Sequence, residues 1–154
     1  RQRQMCIRDS CKLCINDNVQ IVNKLSNDVD ILHIGQNDMK PELAKNQISS
    51  KVKIGLSITD LDQIQNIPNF INYIGVGPIF PTNSKTDASN AMGELILEEI
   101  IKKVDIPVVA IGGIKLKNIN KLKCMGVSGF AMISEIFSSI DPEKKFKEFK
   151  KLAK

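Results

Sequence analysis

Six places in the 154-residue chain hold residues able to do chemistry, and all lie where an apolar run stops. The run Tyr73-Ile-Gly-Val-Gly77 opens into a polar segment reaching Gly93, with Pro78, Pro81, Thr82, Asn83, Ser84, Lys85 and Thr86 along it. A second run, through Ala110-Ile111, stops at Gly112-Gly113, and four others lead to Asn16-Asp17, Asn37-Asp38, Ser57 and Ser134. A lysine among hydroxyls suits a phosphate clamp; the alternative for Lys85 is a solvated loop cation. Paired glycines let backbone N–H groups approach an anion, and a following helix N-terminus adds a favourable dipole. A tight turn at positive φ would use the same glycines. Ser134 could donate to the anion held at Gly112-Gly113.

Asp17 and Asp38 are hard oxygen donors of the kind Mg2+ takes, one or two carboxylates beside substrate phosphates. Helix capping accounts for them equally well. Asp17 or Asn18 could cap one helix, and Asp38 the helix opening at Pro41. His33, the sole histidine, lies inside Ile31-Leu32-His33-Ile34 and is read as structural rather than catalytic. Cys6, Cys11 and Cys14, with Cys124 far downstream, mimic an iron–sulfur spacing. Cys14 sits in the strand-like Leu13-Cys14-Ile15, so small buried or incidental thiols are the better reading.

These strand ends need a frame to position them. Six apolar, β-rich runs recur: Lys12–Asn16, Asp30–Gly35, Lys53–Ile58, Tyr73–Gly77, Pro107–Gly112 and Gly129–Ile133. Most are continuous rather than alternating, which predicts strands buried on both faces of a parallel sheet. Helical patterns lie between them. Val19–Leu25 puts Val19, Val22 and Leu25 on one side, and Pro41 opens a helix through Ile48. A short helix follows at Leu61–Ile67. Glu94–Val104 carries Leu95, Ile96, Ile100 and Ile101, and Lys117–Met125 ends before Gly126 as a C-cap. From Asp141-Pro142 the last helix places Phe146, Phe149 and Leu152 on one face. This alternation is α/β. Its even repeat, with no G-x-G-x-x-G turn, favours a (β/α)8 barrel, in which active sites lie at the C-terminal ends of the strands. About six of eight βα units are present.

Length and composition fit one soluble domain, with 42% hydrophobic and 25% charged residues. No apolar run is long enough to span a membrane, and residues 1–14 lack the apolar core of a signal peptide. The cytoplasm is therefore the expected location. The net charge of +5 is concentrated at the ends: three arginines before Cys11, and six lysines from Asp141 onward. A near-neutral middle, no Trp and 5% aromatics argue against nucleic acid. Residues 1–11 continue into no periodic element and read as a foreign or disordered segment, leaving 12–154 as a partial barrel domain.

Taken together, these segments resemble the thiamine-phosphate synthase family, of the superfamily that also holds the thiazole tautomerases. The resemblance runs over about residues 12–140. It rests on Ile15-Asn16-Asp17, His33–Asp38, Gly55-Leu56-Ser57, Tyr73–Thr82 with Lys85-Thr86-Asp87, Ile106–Ile114 and Ile133-Ser134. The family fold it implies is a (β/α)8 barrel. The activity it implies joins an aminopyrimidine methyl diphosphate to a thiazole phosphate, releasing pyrophosphate. By that likeness Asp17 and Asp38 would hold Mg2+, and Asn16, Ser57 and Lys85 would contact the pyrimidine diphosphate, with Lys85 and Ser57 counted as catalytic. Thr82, Asn83 and Ser84, with Gly112, Gly113, Ile133 and Ser134, would hold the thiazole phosphate. Asn83-Ser84 departs mildly from a family that often has threonine before the lysine. The family also has two earlier βα units with a Gln/Arg/Lys cluster, which residues 1–11 do not replace. The chain alone is therefore expected to be poorly stable and weakly active or inactive. A thiazole tautomerase, which would not need the metal pair, and an inactive phosphate-binding fragment are the competing readings.

Overall fold

The computed structural model describes residues 11–82 and 90–153. It divides into two compact units, one running to Ser57 and including Pro68–Asn72, the other holding Ile58–Ile67 and Tyr73 onward.

In the first unit, β1 (Cys14–Asn16), β2 (Ile31–Ile34) and β3 (Lys53–Ile58, its last residue counted with the second unit) pair in parallel and in chain order. The helices α1 (Val19–Leu25) and α2 (Pro41–Gln47) join them. Asn16 pairs with His33 and His33 with Gly55, and partnered residues of a parallel pair share a face. Asn16, His33 and Gly55 therefore lie on one face, and Ile15, Leu32 and Ile54 on the other. Leu32, Ile34, Ile54 and Leu56 are buried, together with Val19 and Val22 of α1 and Ala44 of α2. Pro41 opens α2 as expected. The loop before β4 is tied back by Asn72, whose Oδ1 accepts from Ile54 N at 2.8 Å while its N–H donates to Ile54 O at 2.8 Å. Leu32, with no exposed surface, should show the cost of opening this core. Leu32→Ala is expected to destabilise the protein by about 3 kcal/mol in urea denaturation.

In the second unit, β4 (Tyr73–Val76), β5 (Val108–Ile111) and β6 (Gly129–Ala131) again pair in parallel and in chain order. The helices are α3 (Gly93–Lys103), α4 (Leu116–Cys124), α5 (Ser134–Phe137) and α6 (Pro142–Ala153). Ile74 and Val76 are fully buried, with Val108 and Ala110 of β5, Leu97 and Ile100 of α3, and Ile119 and Leu122 of α4. Phe149 of α6 meets Phe130 of β6 edge to face, with centroids 5.7 Å apart. Surface pairs such as Lys102–Glu98 and Lys147–Glu143 lie at helical i,i+4 spacing and add little.

The expected α/β alternation is present, with differences that have physical causes. Burial alternates along β2 and β5 instead of being continuous. One face of these strands is buried, and the other, with Ile31 and His33 in β2 and Val109 and Ile111 in β5, remains partly open. In α3 the buried positions are Leu97 and Ile100, whereas Leu95 is 83% exposed. Several registers of an apolar-rich helix satisfy the spacing, and packing selects one. Phe146 stays half exposed while Phe149 is buried. The segment Leu61–Asn66 is a 3-10 helix rather than an α-helix, started by Asp60 Oδ1 accepting from Asp62 N. Cys11, Cys14 and Cys124 are free and exposed, so of the two expected readings they are incidental rather than buried thiols; Cys6 lies outside the described residues. No helix among the described residues is long and apolar enough to cross a membrane.

Candidate functional site

The strand ends of the first unit bring several of the expected residues together. Asn16 ends β1, and Asp17 follows it at φ 63° with its N–H donating to His33 O at 2.8 Å. Aspartate tolerates this left-handed conformation better than most residues, at some cost. Asp17 is not the cap of α1. That role falls to Asn18, whose Oδ1 accepts from Ile21 N at 2.9 Å. Asp38 is not the cap of α2 either, since Lys40 holds that position. Instead Asp38 folds onto its own turn, and its Oδ2 accepts from Gly35 N at 2.8 Å. Both carboxylates are thus exposed at neighbouring strand ends and spared from helix capping.

Ser57, on the last turn of pleat in β3, is held from two directions by the end of β2. His33 Nε2 lies 2.9 Å from Ser57 Oγ, and Gln36 Nε2 donates to Ser57 O at 2.6 Å. The sequence singled out Ser57 and His33, the latter as structural, but did not join them, and it did not single out Gln36. The period-two pattern does place His33 on the same face as Ser57. Gln36 lies in a turn and had no such signal.

In the second unit, the chain after β4 runs beside the chain after β5. Ile79 N donates to Ile111 O at 2.9 Å, and Phe80 N to Gly112 O at 3.1 Å. The glycines make this approach possible. A Cβ on Gly77 would stand 2.1 Å from Ile111 O, and one on Gly112 would stand 2.5 Å from Pro78 Cβ. Gly112 and Gly113 have φ of 87° and 64°, so the tight-turn reading of this pair is realised. Thr82 is half-buried at the end of this segment. Ile133 is exposed, and Ser134 is the first residue of α5. Asn83, Ser84 and Lys85 lie outside the described residues.

A sequence model for thiamine monophosphate synthase matches residues 1–136. The chain belongs to the thiamine monophosphate synthase family. It is 38% identical over 150 residues to the thiamine-phosphate synthase of Histophilus somni, covering 95% of this chain and 66% of that protein. To the thiamine-phosphate synthase of Limosilactobacillus reuteri it is 37% identical over 154 residues, covering 99% and 71%. Among solved structures, the thiamine phosphate pyrophosphorylase of Pyrococcus furiosus superposes with a TM-score of 0.84 at 32% identity, covering 98% of this chain and 71% of that one. The chain thus spans about two thirds of the length of these relatives.

Among the described residues no group of three or more His, Cys, Asp and Glu side chains is placed to hold a metal. A three-ligand protein cage is not what Mg2+ requires. It commonly takes one or two carboxylates and completes its shell with water and substrate oxygens. Asp17 and Asp38, exposed and spared from helix capping, have the right donor chemistry for that arrangement.

Proposed function

We propose that the protein acts as a thiamine-phosphate synthase, a transferase that couples an aminopyrimidine methyl diphosphate to a thiazole phosphate and releases pyrophosphate. Family membership over residues 1–136 carries this reading. The six βα units would be six of the eight in a (β/α)8 barrel, in keeping with the share of its relatives that the chain spans. Asn16, Ser57 and Lys85 would contact the pyrimidine diphosphate. Thr82, Asn83, Ser84, Gly112, Gly113, Ile133 and Ser134 would hold the thiazole phosphate. Asp17 and Asp38 would hold Mg2+, which when bound would offset charge on the diphosphate. Lys85 would stabilise the negative charge that grows on the departing pyrophosphate, the part of the reaction where a fixed cation helps most. The cytoplasm is the proposed location.

The test is product formation by the complete protein. With both substrates and Mg2+, thiamine phosphate and pyrophosphate should appear in equal amounts, and Lys85→Ala should lower kcat about a hundredfold. Absence of product from the folded wild type would overturn the reading.

A further inference from the structure

We infer that His33 is a positioning residue for Ser57, fixing the hydroxyl in the orientation that meets the pyrimidine diphosphate; this rests on the synthase reading above. The contact is built into the strands. His33 is the register partner of Gly55, and Ser57 lies two residues further along β3 on the same face. Gly55 has no side chain, so nothing on β3 stands between the imidazole and the hydroxyl, and Nε2 sits 2.9 Å from Oγ. Gln36 holds the Ser57 carbonyl at 2.6 Å, which fixes the backbone from which that hydroxyl projects. Both His33 and Ser57 are half-buried.

A serine hydroxyl is a free rotor with one proton to give. Its partner therefore decides what it offers to a substrate. If Nε2 lacks a proton, Ser57 donates to His33 and presents only lone pairs. If Nε2 carries the proton, the imidazole donates to Oγ and the Ser57 O–H is released toward the substrate. A diphosphate offers acceptors, so the productive pair has Nε2–H donating to Oγ and the hydroxyl proton turned to a substrate oxygen. Glutamine can imitate this, because its amide N–H reaches about as far as Nε2. Asparagine matches only the nearer ring nitrogen and falls short of Oγ.

The experiment is a double-mutant cycle on the complete protein, with kcat and KM measured for each substrate and thermal melts alongside. His33→Leu should lower kcat/KM for the pyrimidine diphosphate about tenfold, the loss of one hydrogen bond to a reacting group. KM for the thiazole phosphate should not change. In a Ser57→Ala background the same substitution should cost less than about twofold. His33→Gln should restore most of the activity. Should His33→Leu fail to fold, His33→Asn supplies the same cycle with a polar side chain. Equal losses in both backgrounds, or a lowered melting temperature with unchanged kinetics, would overturn the inference while leaving the synthase reading intact. A folded wild type that forms no thiamine phosphate would overturn both.

Discussion

Asp38→Asn is expected to leave the fold intact and to lower kcat/KM about a hundredfold at limiting Mg2+. The substitution separates two roles that one carboxylate could play. Asp38 Oδ2 accepts from Gly35 N at 2.8 Å, which closes the turn after β2. Asparagine keeps an acceptor in that place and caps about as well as aspartate, so a purely structural Asp38 would tolerate the change. A metal-holding Asp38 would not, because the lost charge is what draws the cation. Mg2+ titration of activity, compared with urea denaturation of the same variant, reads the two roles separately. Unchanged Mg2+ dependence would remove Asp38 from the proposed metal pair, and a loss of stability matching the loss of activity would assign it to the turn alone.

The same pair of aspartates shows how far the sequence could be read. Asn-Asp at the end of an apolar run is legible as a strand end, and Asn16, Asp17 and Asp38 do stand at such ends. What each carboxylate does there was not legible, because capping and metal binding use the same residue types at the same offsets. Geometry removes only the helix-capping reading: Asn18 takes the cap of α1, and Asp38 turns back to Gly35. Strand existence was readable because the runs holding Ile54, Leu56, Ile74 and Val76 are short, rich in β-branched and aliphatic residues and bounded by glycine or polar residues. Face and register were less so. His33 inside an apolar run reads as structural, and the contact its imidazole makes with the Ser57 hydroxyl, through the gap left by Gly55, was not readable. That contact joins residues 24 apart. Helix register was under-determined for a related reason. With five aliphatic residues between Leu95 and Ile101, the sequence allows several buried faces, and only packing chooses Leu97 with Ile100.

Gly112→Ala is expected to destabilise the protein by about 3 kcal/mol, or roughly 10 °C in melting temperature. Two costs add there. A side chain at φ 87° is strained by about 1–2 kcal/mol. The new Cβ would also stand 2.5 Å from Pro78 Cβ and 2.6 Å from Pro78 Cα, and backbone cannot move aside as a flexible side-chain end can. Gly126 provides the control, because its φ is 96° but a Cβ there meets only Ile101 Cγ2, at 3.6 Å. Gly126→Ala should therefore cost only the strain, about 1–2 kcal/mol. Equal destabilisation by the two would mean that conformation alone explains Gly112. A larger effect at Gly112 would mean that the glycine is required by the approach of Pro78–Phe80 to the end of β5. The segment leading to Thr82 is anchored by that approach, through Ile79 N to Ile111 O and Phe80 N to Gly112 O. On the proposed function, the Gly112→Ala protein that remains folded at low temperature should then also show a raised KM for the thiazole phosphate, whereas Gly126→Ala should not.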